Sequence, residues 1–355
     1  MTDSNSKIVT PPRRRIETIS RRSFIARSAA VAAAVAMPNV ILPRPAWATV
    51  EPGDLREVSR GQRGVTLTFD MRHGPFPCAG HTYDDPTTII YIPYHFRMRD
   101  QAAEDQRLDV IVHFHGHRTT AAAAMRDHQL REQLLDSRQN AILVMPQGPV
   151  NASDSAGGKL DLEDGLLDFL TEIRKSVQLP EVAEAIPEVT ISNSSRIGLC
   201  LLSGHSGGYR VIARCLDRGG YNVNEVYLLD ALYGELATFQ SWMEERLDWE
   251  HSRERHKIVS FFQPNTDVAR NNATMIANFR AAGIPLVHET VSDPITRGQF
   301  TRYRSVFIEA AASHQGIAWT QNNLRDCLYS SCLERYVASD WFSDTETDRV
   351  IDTRQ

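Results

Sequence analysis

Short apolar runs recur along this 355-residue chain, with amphipathic stretches between them. They are "VTLTFD" (65–70), "TTIIYIPY" (87–94), "LDVIVHFH" (108–115), "AILVMP" (141–146), "RIGLCLLS" (196–203), "EVYLLD" (225–230), "KIVSFF" (257–262) and "PLVHETV" (285–291). This alternation constrains the fold more than any other feature. Most of the runs are apolar at odd and even positions alike, so strands built from them bury both faces. A parallel sheet with helices on both sides provides that burial. Helix-like stretches near 120–136, 161–176, 207–218, 235–247 and 268–282 fill the gaps from the third run onward. The first runs have no helix between them, which predicts an antiparallel edge. The expectation is an α/β domain with a mostly parallel sheet of about eight strands, and a site at the carboxyl ends of those strands.

One junction is chemically distinctive. "RIGLCLLSG" reads as a strand, and "GYRVIARCLDRGG" reads as a helix with Val211, Ile212 and Cys215 on one face. The helix stops at a Gly pair, a common helix end. Between the two lies Gly204-His205-Ser206-Gly207-Gly208. A serine there can cap the helix. It can also sit on a tight turn that lifts its hydroxyl above the sheet as a nucleophile. In that case the Gly207 amide faces a developing oxyanion.

With this junction the chain resembles the α/β-hydrolase superfamily over roughly residues 63–330. "IIYIPYHF", "LDVIVHFHGH", "AILVMPQGP" and "SRIGLCLLSGHSGGYRV" follow the order seen in secreted esterases of the feruloyl-esterase and polyhydroxyalkanoate-depolymerase kind. The resemblance implies that Ser206 is the nucleophile and that the His115-Gly116 turn brings a second oxyanion amide, from His117 or Arg118. A rival reading takes His113, His115 and His117 as zinc ligands on one strand face. No neighbouring Asp-His or Glu-x-x-His completes such a set. The resemblance places the base after Ser206. His251 and His256 lie in the charged "WEHSRERHK" and read as solvated, and His288 falls inside a run. His314 in "AAASHQGIAW" is the candidate. A histidine takes a serine proton near neutral pH. Two acids remain open: Asp230, which ends "VYLLD", and Asp267 in "FFQPNTDVARNN".

The first 48 residues carry eight Lys or Arg and two acids, and without them the formal charge falls from -5 to about -11. "SRRSFIARSAAVAAAVAMP" has a basic start, an apolar stretch too short to span a bilayer well, and a small-x-small site at Ala46-Trp47-Ala48. Arg21-Arg22 followed by Ser23, Phe24 and Ile25 resembles a twin-arginine export signal. That implies a partner in the export machinery and a periplasmic or extracellular destination. The expected organisation is a signal peptide at 1–48, a loose arm at 49–62, the hydrolase domain at 63–340 and a polar tail at 341–355. Cys327 and Cys332 lie five apart, as a local disulfide or as free thiols.

No basic patch suggests nucleic acid, no Gly-rich loop cradles phosphate, and no later run is apolar enough to cross a membrane. The expected function is an exported serine hydrolase acting on a small-molecule or polymer ester, less readily an amide, with no organic cofactor. The alternatives are a non-catalytic exported binder of a glycan or peptide, and a zinc hydrolase. Phe239, Trp242 and Trp249 are open between the core and a cleft wall.

Overall fold

The computed structural model describes residues 50–97, 106–151, 156–246, 255–290 and 292–336. The leader at 1–48, the tail at 341–355, Trp249 and His251 lie outside the described residues. Ten strands form one sheet: β1 (Asp54–Arg60), β2 (Gly64–Asp70), β3 (Thr87–Pro93), β4 (Arg107–Phe114), β5 (Ile142–Pro146), β6 (Arg196–His205), β7 (Glu225–Leu229), β8 (Lys257–Phe262), β9 (Leu286–Glu289) and β10 (Ser305–Glu309). Their order is β1-β2-β3-β5-β4-β6-β7-β8-β10-β9. The pairings β1–β2, β2–β3 and β3–β5 are antiparallel, and the rest are parallel. The antiparallel edge and the mostly parallel sheet flanked by helices are as the sequence predicts.

Among the described residues the strand count is ten rather than about eight. One addition corrects the loose arm: Asp54–Arg60 is strand β1, laid along β2. Nearly every β1 residue is exposed, so it has no apolar alternation to read. The other is β10, inserted between β8 and β9.

The helices are α1 (Ala121–Asp127), α2 (Leu130–Ser137), α3 (Gly165–Ser176), α4 (Pro180–Ala185), α5 (Tyr209–Arg218), α6 (Leu236–Glu244), α7 (Asp267–Ala281), α8 (Arg297–Arg302) and α9 (Asn323–Tyr329). Successive strand residues point to opposite faces, and two apolar cores follow from that. On one face Val110, Val112, Leu202 and Leu228 pack with Phe169 of α3, Ile212 of α5, Phe239 of α6 and Phe279 of α7. On the other, Ile111, Leu201, Leu229 and Phe261 pack with Met125 of α1, Leu134 of α2, Phe300 of α8 and Leu328 of α9. Phe239 and Trp242 are therefore core residues.

One further reading is corrected by packing, and one left open is decided. His256 is buried rather than solvated. Its ring stacks on Trp242 at 4.3 Å and its Nδ1–H donates to the Trp242 carbonyl. Cys327 and Cys332 are not joined in a disulfide, and Cys327 is wholly buried in α9. Among the described residues no helix is long and apolar enough to cross a membrane.

Candidate active site

The sheet register gathers the expected residues. Phe114 of β4 pairs with Gly204 of β6, and His205 pairs with Leu229 of β7. The turn after β4, the turn after β6 and Asp230 after β7 therefore emerge at one level, at the carboxyl ends of the strands.

Ser206 follows β6 directly, with φ +53°, and opens the turn that leads into α5. A non-glycine residue held there is strained by about 1–2 kcal/mol. Close packing imposes the shape. A side chain at Gly204 would come within 2.8 Å of Ile212 Cδ1, and one at Gly208 within 2.8 Å of the Phe114 carbonyl. The two glycines let the helix descend onto the strand, which is the physical content of the Gly-x-Ser-x-Gly pattern.

The β4 turn reaches the serine. A side chain at Gly116 would lie 2.9 Å from Ser206 Cβ. His115 is buried and holds this turn. Its Nδ1–H donates to the Gly116 carbonyl at 2.8 Å, and its Nε2 accepts from the Gly148 amide at 2.8 Å. Burial holds its pKa below the usual histidine value, so the ring is neutral. The Arg118 amide donates to the Val150 carbonyl. Of the two amides considered, that occupies Arg118 and leaves His117 as the remaining candidate.

His314 lies in the loop after β10, and its Nδ1–H donates to Asp230 Oδ2 at 2.6 Å. Asp230 is 2% exposed, and its other oxygen accepts from the Gln263 amide at 3.2 Å. Paired and hydrogen-bonded, the carboxylate avoids the cost of an orphaned buried charge. Ser206 and His314 line one cleft.

Asp267 is not in this group. It starts α7 as an acid in the first turn, its carboxylate pairs with Arg270, and its side chain is 74% exposed. A helix N-terminus stabilises such an acid by itself.

The three histidines read as possible zinc ligands also separate. His113 Nδ1 pairs with the Ser203 hydroxyl at 3.0 Å, both ring nitrogens of His115 are engaged in the turn, and His117 is exposed. Among the described residues no group of three His, Cys, Asp or Glu is placed to hold a metal ion. His288 belongs to β9 instead, with its Nε2 3.4 Å from a Glu309 carboxylate oxygen and its pKa lowered by burial.

Several site residues carry no sequence signal strong enough to single them out. His205 Nε2–H donates to the His314 carbonyl at 2.9 Å, and its ring lies 4.7 Å from that of His314. His128 packs edge-on against His205 at 5.0 Å. Gln263 donates from its side chain to the Ala312 carbonyl at 2.8 Å while its amide holds Asp230. It thus ties the Asp230 and His314 loops together, and its position just past β8 is the only hint of that. The Tyr233 hydroxyl meets that of Ser206, and its ring lies 6.5 Å from His314. Burial first, and then the Asp230 charge, raise the Tyr233 pKa, so it stays a neutral phenol.

No family model matches the chain, and no curated protein matches it. Among solved structures it is similar to the feruloyl esterase module of Clostridium thermocellum, a mutant complexed with sinapinate. That match has 14% identity, 81% of this chain and 93% of that chain covered, and TM-score 0.42. It is also similar to an S-formylglutathione hydrolase from Agrobacterium tumefaciens (11%, 79% and 100%, TM-score 0.38). A third is a ferulic acid esterase from Anaeromyces mucronatus in complex with ferulic acid (11%, 78% and 93%, TM-score 0.38).

Proposed function

We propose that the chain is an exported serine esterase. The observation that carries the reading is Ser206 held at positive φ at the end of β6, in one cleft with the His314–Asp230 pair. His314 Nδ1 is committed to Asp230, so Nε2 is the nitrogen left to take the serine proton. Ser206 Oγ then bonds to the ester carbonyl carbon, and the carbonyl oxygen gathers charge facing the Gly207 and His117 amides. As the carbon–oxygen ester bond breaks, His314 returns the proton to the departing alcohol. A water, deprotonated by His314, attacks the acyl-serine; as the acyl–Oγ bond breaks, His314 returns that proton to Ser206 Oγ and the carboxylic acid leaves. Asp230 holds the imidazole in the productive tautomer and steadies its cationic form.

Export rests on the sequence of the leader, where Arg21-Arg22 precedes an apolar stretch and a small-x-small site.

The test is a fluorophosphonate probe on the purified mature chain. Labelling that maps to Ser206 and disappears in Ser206→Ala, together with loss of ester turnover in a variant of unchanged melting temperature, supports the reading. An unlabelled wild type, or a Ser206→Ala variant within tenfold of wild-type turnover, makes Ser206 a helix cap and overturns it.

A further inference from the structure

Away from Ser206, three hydroxyl side chains stand side by side on the antiparallel part of the sheet. Ser59 of β1 pairs with Thr66 of β2, and Thr66 pairs with Tyr91 of β3. Residues directly opposite one another on antiparallel strands share a face, so the three form a row. Tyr91 also pairs with Leu143, near the start of β5. The row therefore lies toward the amino ends of the parallel strands, whereas Ser206 lies past the carboxyl end of β6. With Arg131 and Glu132 of α2 and Arg63 of the β1–β2 turn, the row lines a cavity of about 380 Å³.

Tyr91 is 4% exposed, and its ring packs in the second apolar core. Its hydroxyl passes beside Gly64, where a side chain would come within 2.5 Å of it. Among the described residues no group bonds to that hydroxyl, although buried polar groups ordinarily have a partner. Burial pushes its pKa up to about 12, so it stays a phenol with a proton to donate. The surrounding charge favours a negative acceptor, because the Arg63 and Arg131 guanidiniums each act on the hydroxyl more strongly than the Glu132 carboxylate does.

Arg131 is held beside the row by one bond, from Nη1 to Thr66 Oγ1 at 3.3 Å. A guanidinium has five N–H donors, and among the described residues no acid pairs with this one. Arg63 lies 3.6 Å from Asp136, with both side chains at least half exposed, and such a surface pair is weak.

The geometry points to an anion-binding site separate from the Ser206 cleft, in which Arg131 and the Tyr91 hydroxyl hold a carboxylate or phosphate group. The planar guanidinium fork matches either group. The exposed Arg63 adds positive charge at the edge of the cavity. The volume falls within the range of small-molecule pockets, so it accommodates more than a bare ion. The Ser59 and Thr66 hydroxyls then face polar groups on the molecule that carries the anion.

The experiment is NMR on the full chain labelled with ¹³C-tyrosine, where the Tyr91 ring signal is the one that Tyr91→Phe removes. Inorganic phosphate and acetate are titrated separately, each against chloride at equal ionic strength. The Tyr91 signal should shift and saturate, with half-saturation below about 10 mM for at least one of the two anions. A stronger response to phosphate assigns the site to phosphate esters, and a stronger response to acetate assigns it to carboxylic acids. Arg131→Gln keeps the Tyr91 signal and should weaken binding at least about tenfold, the loss expected for a hydrogen bond to a charged group. A Tyr91 signal that neither anion moves beyond the chloride control, or that drifts without saturating, overturns the inference and leaves the cavity to water. Equal affinity in wild type and Arg131→Gln also overturns it. The wild-type titration can refute the site by itself, so the test does not depend on the variant folding.

Discussion

Mild acid should unfold this protein, because its structure buries histidines that cannot stay neutral once exposed. His128, His205 and His256 are 5%, 1% and 2% exposed. Burial foremost lowers their pKa values to about 4, about 3 and about 4. In the unfolded chain each returns to about 6.5. Below that pH the unfolded state binds a proton that the folded state refuses. The stability these groups contribute is therefore fully present above about pH 6.5 and is lost as pH falls toward their folded values. One proton is worth about 1.4 kcal/mol per pH unit. Each histidine thus removes about 2 kcal/mol between pH 6.5 and pH 5, and the three remove about 6 kcal/mol. A domain is typically stable by about 5–15 kcal/mol, so the loss is a large part of the whole. His113, wholly buried and held well below its ordinary value, acts in the same direction. Asp161, whose pKa burial raises, acts in the other. Urea unfolding at fixed pH between 7.5 and 5 measures the effect as a fall in unfolding free energy, approaching about 4 kcal/mol per pH unit near pH 5. His128→Gln removes one titrating group and should flatten that slope by about 1.4 kcal/mol per unit. An unfolding free energy that changes by less than about 1.4 kcal/mol between pH 6.5 and pH 5 refutes the reasoning.

Asp230→Asn should lower turnover by about 10⁴-fold, because an amide cannot stabilise the imidazolium and favours the wrong tautomer. Asp267→Asn should leave turnover within about twofold, since that carboxylate faces solvent and Arg270. Melting temperatures measured beside the rates separate lost chemistry from lost fold, and the reverse ranking would move the acid to Asp267. Replacing Arg21 and Arg22 together by lysine should hold the precursor in the cytoplasm, read by fractionation and immunoblot. Unchanged export of that double variant rejects a twin-arginine route.

The sheet was largely legible because its signal is local and repeated. Eight runs announce eight strands, and the turn at Ser206 is contiguous with the strand and helix that shape it, so ten consecutive residues carry the whole pattern. The strands that escaped had weak local signals. "DLREVSR" is polar and exposed, and it is a strand because the edge of β2 offers hydrogen bonds to its backbone. "SVFIE" is five residues long, and its place between β8 and β9 is a matter of sheet order.

The same division runs through the site. The amino-acid sequence determined by itself that a serine would sit between a buried strand and a helix, with glycines where close packing forbids side chains. It also offered His314 as the candidate base and two aspartates as candidate acids. Tertiary structure alone sets one of them against His314. Asp230 and Asp267 each follow an apolar run, and nothing nearby in the chain distinguishes them. His314 lies 84 residues from Asp230, and their meeting depends on how β7, β8 and β10 align. That alignment buries Asp230 against Gln263 and His314 and leaves Asp267 on a helix end in water. Burial decided the other histidines too. "WEHSRERHK" reads as a solvated stretch, yet His256 stacks beneath Trp242, because a side chain's solvation is set by what folds over it and not by its neighbours in the chain.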